Sequence, residues 1–361
     1  MDLNVIANIN SLSYGVVSFY LLKAFDKLGI NVSLFCPRNC DIAAYSDQDV
    51  SFLRKFVDNS WKFNPKVPTL KIYHQNNLAD SIGSGTRFAY SFFELEHLNE
   101  IERHHINSLD GFFVGSHWAK EVCEKNDIKV PVYVAPPCLD ENLINFKKYD
   151  KNYHNDTIVF STVGKWEQRK SHLEMIKAFE KCFDIFDNVE LKMYCGNTPD
   201  DPRNYQEWLK KIEQSPLRHM IKIMPFVEKH SEMVRAISEA DVYLSFSKAE
   251  GFDLPLFEAM RQGVLCIATD CTAHKEYILD SNCLKIDPIG TELAHDGKWF
   301  NKKDDKLTWS SFNFEDFCKK IKNSVEILQQ GQYNTITRNA IATTTNFSWE
   351  KTAKKMLEKM I

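Results

Sequence analysis

From Lys248 to Met260 the chain reads Lys-Ala-Glu-Gly-Phe-Asp-Leu-Pro-Leu-Phe-Glu-Ala-Met, with two glutamates, Glu250 and Glu258, eight positions apart. An apolar run ends at Ser247, and Pro255 suits the first turn of a helix, where a missing N–H is harmless. The two carboxylates therefore bracket a strand-to-helix turn. The backbone N–H groups of Phe252, Asp253 and Leu254 fall at the helix start, a position that favours an anion. One carboxylate before the turn and one inside the helix can hold two sets of sugar hydroxyls. Alone, the same pair also describes an ordinary helix start with a second glutamate on its exposed face.

A second stretch, Val163-Gly164-Lys165-Trp166-Glu167-Gln168-Arg169-Lys170, follows another strand-like run and opens a helix. Cations at a helix start oppose the helix dipole unless an anion lies against them. Lys165 and Lys170 there can neutralise a leaving diphosphate without a metal ion. A solvated basic helix start is the plainer alternative. Nearer the beginning, Ser13-Tyr14-Gly15-Val16-Val17 occupies the turn after the first strand, and Gly15 is the single glycine of that loop. Glu94 closes a strand-like run that starts at Phe88, as a cleft-facing carboxylate or as a helix cap.

The segment around Glu250 resembles the E-x7-E signature of retaining GT-B glycosyltransferases of the family 4 type. The family turn reads Glu-Gly-Phe-Gly and its second glutamate precedes Ala-Met. Glu250-Gly251-Phe252 and Glu258-Ala259-Met260 match, whereas Asp253 stands where the family has glycine. The resemblance implies that Glu250 contacts donor-sugar hydroxyls, that Glu258 holds the nucleotide ribose, and that Gly251 to Leu254 line the donor. Gly164, Lys165 and Lys170 are similar to the family's Gly-Arg, spacer, Lys pattern, with Lys165 in place of arginine. It further implies front-face transfer with retention, assisted by Lys165 and Lys170 and oriented by Glu250, with domain closure over a nucleotide sugar. Gly15 belongs to the loop that approaches the donor phosphate or the acceptor, and Glu94 to the acceptor side. The turn Cys271 to Glu276 resembles the family's late donor-side loop.

Strand-like runs and helical periodicities must position these groups, and they alternate in two series. In the first, Leu3–Ile9, Asn31–Cys36, Lys71–His74, Phe88–Phe92, Phe112–Val114 and Val132–Val134 read as strands, and a helix carrying Val17, Leu21, Ala24 and Leu28 ends at Gly29. A polar stretch from 142 to 156 reads as a linker. In the second, strands at Thr157–Val163, Val189–Cys195, Ile221–Met224, Asp241–Ser247 and Val264–Thr269 alternate with helices at Ser171–Phe186, Glu232–Ala240 and Pro255–Gln262. The α/β pattern predicts a GT-B architecture of two Rossmann-like, doubly wound domains facing a cleft, which holds the ligand. An acceptor-side domain is expected over 1–145, a donor domain over 146–335 and a C-terminal closing helix over 336–361.

Composition narrows the partners. The chain of 361 residues is 43% hydrophobic and 26% charged, enough for two cores. Its formal charge of -4 gives no general attraction to nucleic acid or anionic membrane. No run nears the roughly 18 apolar residues of a membrane span, and the start lacks a signal peptide's pattern. Ten cysteines without a CxxC pair, several in apolar runs (Cys36, Cys195, Cys266), fit buried thiols in a reducing cytoplasm. Asp200-Asp201 and Asp304-Asp305 read as surface turns, and His74, His104, His105 and His117 lack metal spacing, so neither metal nor cofactor is expected.

The acceptor stays open. The Asn-rich start and the Ser-Tyr-Gly-Val-Val turn look like glycosyltransferases of large DNA phages, which makes hydroxymethylcytosine in DNA one acceptor class. A saccharide, lipid-linked or protein acceptor is the other. Arg54, Lys55, Arg87 and Arg103 are candidates for a phosphate track. Sugar-nucleotide epimerases share the architecture, and a non-catalytic nucleotide-sugar binder is the reading from another class.

Overall fold

Apolar runs at regular intervals pair into two separate parallel sheets, seen in a computed structural model that describes residues 1–37, 40–195, 202–296, 300 and 306–360, with 202–205 by backbone alone. The pairs Asp200-Asp201 and Asp304-Asp305 lie outside the described residues. The chain forms two compact units, 1–140 with 228–230 and the segment from Phe347 onward, and 141–227 with 231–346.

The first unit contains β1 (Asp2–Ala7), α1 (Ser13–Lys27), β2 (Asn31–Phe35), α2 (Asp47–Asn59), β3 (Thr69–Ile72), β4 (Arg87–Ser91), α3 (Glu100–Asn107), β5 (Gly111–Val114), α4 (His117–Lys125) and β6 (Val132–Val134). Its strands lie in the order β2-β1-β3-β4-β5-β6, all parallel, with Val5 opposite both Leu34 and Leu70. Gly29, at φ 72°, ends α1, because a left-handed residue there is cheapest without a Cβ. The helix α2, absent from the periodicities above, carries Val50, Leu53, Phe56 and Val57 at helical spacing and buries Leu53 and Phe56. It starts where the Ser46 hydroxyl accepts a bond from the Asp49 N–H.

The second unit contains β7 (Ile158–Val163), α5 (His172–Cys182), β8 (Val189–Tyr194), α6 (Pro202–Glu213), β9 (Ile221–Ile223), α7 (His230–Glu239), β10 (Val242–Ser245), α8 (Leu254–Arg261), β11 (Leu265–Thr269), β12 (Leu284–Ile286), the hairpin β13 (Gly290–Leu293) with β14 (Thr308–Ser311), α9 (Phe314–Gln329) and α10 (Tyr333–Thr345). The six parallel strands run β12-β11-β10-β7-β8-β9. The chain therefore winds outward from β7 in one direction, crosses back, and winds outward from β10 in the other. Connections diverge at such a reversal and leave a crevice beyond the carboxyl ends of the two central strands. In the first unit the reversal lies between β1 and β3.

Residues 142–156 do not behave as a solvated linker. Lys147 and Lys151 converge on the buried Asp241 at 2.9 and 2.6 Å, and Tyr153 donates to the same carboxylate at 3.1 Å. The Tyr149 hydroxyl donates to the Gly263 carbonyl and accepts from the Leu265 N–H. Those lysines and tyrosines anchor the stretch at the starts of β10 and β11. Beyond 336 the chain completes α10 and then forms α11 (Trp349–Met360) in the first unit. There Trp349 stacks on Tyr20, Glu350 pairs with Lys27 at 3.0 Å, and the Thr352 hydroxyl donates to the Pro136 carbonyl at 2.6 Å.

Candidate active site

The loop after β10 brings Glu250 and Asp253 to the reversal of the second sheet, and the loop after β7 brings cations to meet them. Asp253 has φ 65° and ψ 68°, left-handed values that aspartate tolerates better than most residues. It is the N-terminal boundary residue of α8, but its side chain does not cap that helix. The carboxylate instead turns back, accepting from the Ser245 hydroxyl at 2.6 Å and facing His274 Nε2 at 3.1 Å. The loop is tied down along its length. Glu250 N–H donates to the Thr272 hydroxyl, which donates back to the Glu250 carbonyl, and the Tyr277 hydroxyl donates to the Phe252 carbonyl at 2.6 Å.

From the other side, Gln168–Lys170 forms a short 3-10 turn, and Ser171 at φ 54° reverses the chain into α5. Arg169, which the sequence reading left aside, is 8% exposed. Its Nη1 lies 2.6 Å from the Ala249 carbonyl and 2.8 Å from Glu250 Oε1, while Nη2 pairs with Glu167 at 2.9 Å. Lys170 Nζ sits 2.7 Å from Glu250 Oε1 and 3.5 Å from Asp253 Oδ1. Gly164 makes room for it, since a Cβ at that position would fall 3.2 Å from Lys170 Cε. Burial opposes the charge of Lys170, but Asp253 and Glu250 outweigh it and hold the ammonium above the usual lysine range. Burial likewise opposes ionisation of Glu250 and Asp253. Arg169 and Lys170 overcome it for the first, Lys170 and His274 for the second, and both carboxyls lie below their ordinary range. Burial and the charge of Lys170 push His172 down to about 3, so it stacks on Trp166 as a neutral ring at 5.2 Å.

The residues singled out in the sequence divide into three sets. Glu250, Gly251, Phe252, Asp253, Leu254 and Lys170 meet around the β7 and β10 ends, and Glu258 lies buried one turn into α8. Lys165 is exposed, and among the described residues it makes no ion pair. Gly15 and Glu94 belong to the first unit. Gly15 is in the first turn of α1 with its Cα pressed on the Asn10 backbone, where a Cβ would lie 2.2 Å from the carbonyl oxygen. Glu94 is half-buried and caps no helix, because Asn99 and Glu102 form the capping box of α3. Arg87 begins β4, so it lies at the amino edge of its sheet, away from the end where ligands bind such folds. Lys55 is paired with Asp26. Among the cysteines, Cys195 and Cys266 are buried, whereas Cys36 is half-buried beside Cys40.

Residues 157–294 match the family model described as glycosyl transferases group 1. No curated protein matches the chain. Among solved structures, sucrose-phosphate synthase from Thermosynechococcus elongatus is similar, with a TM-score of 0.73 at 14% identity over 99% of this chain and 98% of that one. HepE of Anabaena, solved with UDP and glucose, superposes with a TM-score of 0.69 at 13% identity over 99% and 98% of the two chains. The lipopolysaccharide outer core galactosyltransferase WaaB gives 0.64 at 18% identity over 100% and 99%. No helix among the described residues is long and apolar enough to cross a membrane. The two doubly wound sheets are those of the GT-B fold, and with a group 1 domain over 157–294 the protein is a glycosyltransferase.

Proposed function

We propose that the protein transfers a hexosyl or pentosyl group from a nucleoside diphosphate sugar to a saccharide hydroxyl, with retention at the anomeric carbon. The observation that carries this reading is the convergence of Arg169 and Lys170 on Glu250 at the sheet reversal. Glu250 holds both cations. A diphosphate arriving beside α8 would take up the charge of Lys170 and free Glu250 to accept hydrogen bonds from sugar hydroxyls. Glu258, buried on α8, is assigned to the ribose in keeping with the family 4 type of E-x7-E signature. HepE has been solved with UDP and with UDP-glucose, which makes uridine donors the first to test.

The acceptor oxygen bonds to the anomeric carbon as the bond from that carbon to the phosphate oxygen breaks. The diphosphate leaves with the bonding electrons and receives the acceptor proton on a phosphate oxygen. Retention is favoured because Glu250, held below the ordinary carboxyl range by two cations, is a poor general base for back-side attack. Lys170 and Arg169 take the part a metal ion would otherwise play, and Lys165 is assigned to the outer phosphate. Gly15 and Glu94 are assigned to the acceptor. A saccharide is preferred to hydroxymethylcytosine in DNA because Arg87 lies at the amino edge of its sheet and Lys55 is neutralised by Asp26. WaaB and sucrose-phosphate synthase, by their names, act on saccharides or sugar phosphates.

The test is incubation with UDP-, ADP- and GDP-sugars and two acceptor pools, mixed saccharides and DNA containing hydroxymethylcytosine. Mass spectrometry reads transfer, and NMR of the product reads the anomeric configuration. A saccharide product with the donor's configuration is expected. Transfer to DNA would overturn the acceptor, inversion the mechanism, and tight donor binding without transfer or hydrolysis would leave a binding protein.

A further inference from the structure

His274 belongs to none of the roles above, yet it is fully buried directly behind the cluster. Its Nδ1 is 2.7 Å from the Thr269 carbonyl and its Nε2 3.1 Å from Asp253 Oδ2. Both partners accept only. The nearby Cys271 thiol, 3.6 Å from Nδ1, is directed at the Ser247 carbonyl at 3.3 Å. With an acceptor at each ring nitrogen, the ring satisfies both contacts only by carrying two protons, that is, as an imidazolium. Burial works against that charge, but the contacts with the Cys271 sulfur and the Asp253 carboxylate favour it, and the ring is held well above the ordinary histidine range.

The charge count of the cluster gives this ring a purpose. Glu167, Glu250 and Asp253 bring three carboxylates to two cations, Arg169 and Lys170. Left so, this paired cluster would carry one net negative charge where an anion has to be received. A third buried cation at His274 restores balance, and it does so on Asp253, the residue that replaces the family's glycine. The Ser245 hydroxyl and His274 hold Asp253 Oδ2, while Lys170 stays 3.5 Å from Oδ1 and closer to Glu250.

We infer that His274 is a positioning residue for the transfer site: its imidazolium neutralises Asp253, so that Lys170 is left for the donor's diphosphate. The inference rests on the donor reading above for its consequence, though the charge of His274 does not. Without the imidazolium, Asp253 is a bare carboxylate that competes with the diphosphate for Lys170. The other groups facing the ring are Glu250, through its charge, and Tyr277, whose ring lies 6.1 Å away.

Two measurements test it. In protein labelled with nitrogen-15 histidine, the signal lost in His274→Gln is expected to show both ring nitrogens protonated at pH 8. A neutral tautomer there overturns the inference whether or not any nucleotide binds. Calorimetric titration with UDP, ADP and GDP then compares wild type, His274→Gln and His274→Gln/Asp253→Asn, each checked for a cooperative thermal transition. The single variant is expected to bind the preferred nucleotide on the order of tenfold more weakly, and the double variant to recover most of that loss. Unchanged binding in the single variant, or a double variant no better than the single, overturns it. Wild type that binds none of the three nucleotides would refute the donor reading, while the NMR result still judges the charge of His274.

Discussion

Each unit has a strand-order reversal, and the two are furnished in opposite ways. At the β7 and β10 ends of the second unit, Glu167, Arg169, Lys170, Glu250, Asp253 and His274 form a nearly buried ionic array, with hydrogen bonds tying one loop to the next. At the β1 and β3 ends of the first, the groups are aromatic and largely uncharged. Tyr14 lies 4.6 Å from His74 and 5.5 Å from Phe92, and its hydroxyl accepts from the Phe92 N–H and meets Ser91 at 3.2 Å. A diphosphate is one invariant chemical object, and fixed charges in a region of low polarity recognise it strongly without reorganising. An aromatic, half-exposed surface commits to less. Under the function proposed above, the contrast fits a constant ligand in the second unit and a variable one in the first.

The sharpest way to break the contrast is to unbalance the array. Arg169→Leu strips Glu250 of one cation and is expected to cost about 3–5 kcal/mol of stability, as for any buried pair that loses a partner, read by urea unfolding. A cost near zero would mean that the ion pair contributes nothing to the second unit. Lys170→Ala is expected to lower turnover by about 10²–10³-fold at saturating donor, and a variant with wild-type turnover would remove the lysine from the chemistry. Gly15→Ala forces a Cβ against the Asn10 carbonyl, and should destabilise by about 1–3 kcal/mol. In calorimetry its nucleotide affinity should stay unchanged, and a collapse there would erase the distinction between the units.

Acid and alkali should act through the second unit's array. Asp253 and Glu250 titrate lower folded than unfolded, so their stabilisation is present at neutral pH and lost as pH falls below the ordinary carboxyl range. His274 titrates higher folded, so its contribution is complete below the ordinary histidine range and lost as pH rises through its raised value. Thermal midpoints measured from acid to alkali should fall at both ends, and His274→Gln should flatten only the alkaline limb. The smallest effect is expected for Lys165→Ala. An exposed lysine at the outer phosphate stays largely solvated and should change turnover less than about threefold, and a loss as large as that of Lys170→Ala would rank it with the buried cations.

What could be read from residues alone followed a physical divide. The central strands of both sheets were legible because buried parallel strands are short continuous apolar runs. That Glu250, Glu258 and Lys170 lie at strand-to-helix turns was legible from the flanking apolar runs, but their grouping as a site came only from the resemblance to the E-x7-E signature. Arg169 was not, since one of two adjacent cations was as good as the other until the 3-10 turn aimed its guanidinium at Glu250. His274 was hidden for a similar reason: its partner Asp253 lies 21 residues earlier, and only the left-handed turn at 253 directs that carboxylate backward. The polar stretch from 142 to 156 looked solvated by composition, while the buried Asp241 that gathers Lys147, Lys151 and Tyr153 sits about ninety residues further along the chain.

The helix α11 has a consequence for how the protein is made. A chain leaving the ribosome completes the second unit as an almost uninterrupted piece, but the first cannot close over Tyr20 and Pro136 until residues 349 and 352 have emerged. Of the two sheets, the one that emerges first is therefore finished last, and its α1 surface must wait, uncovered, for an element about 330 residues downstream, a gap that exposes it to off-pathway association.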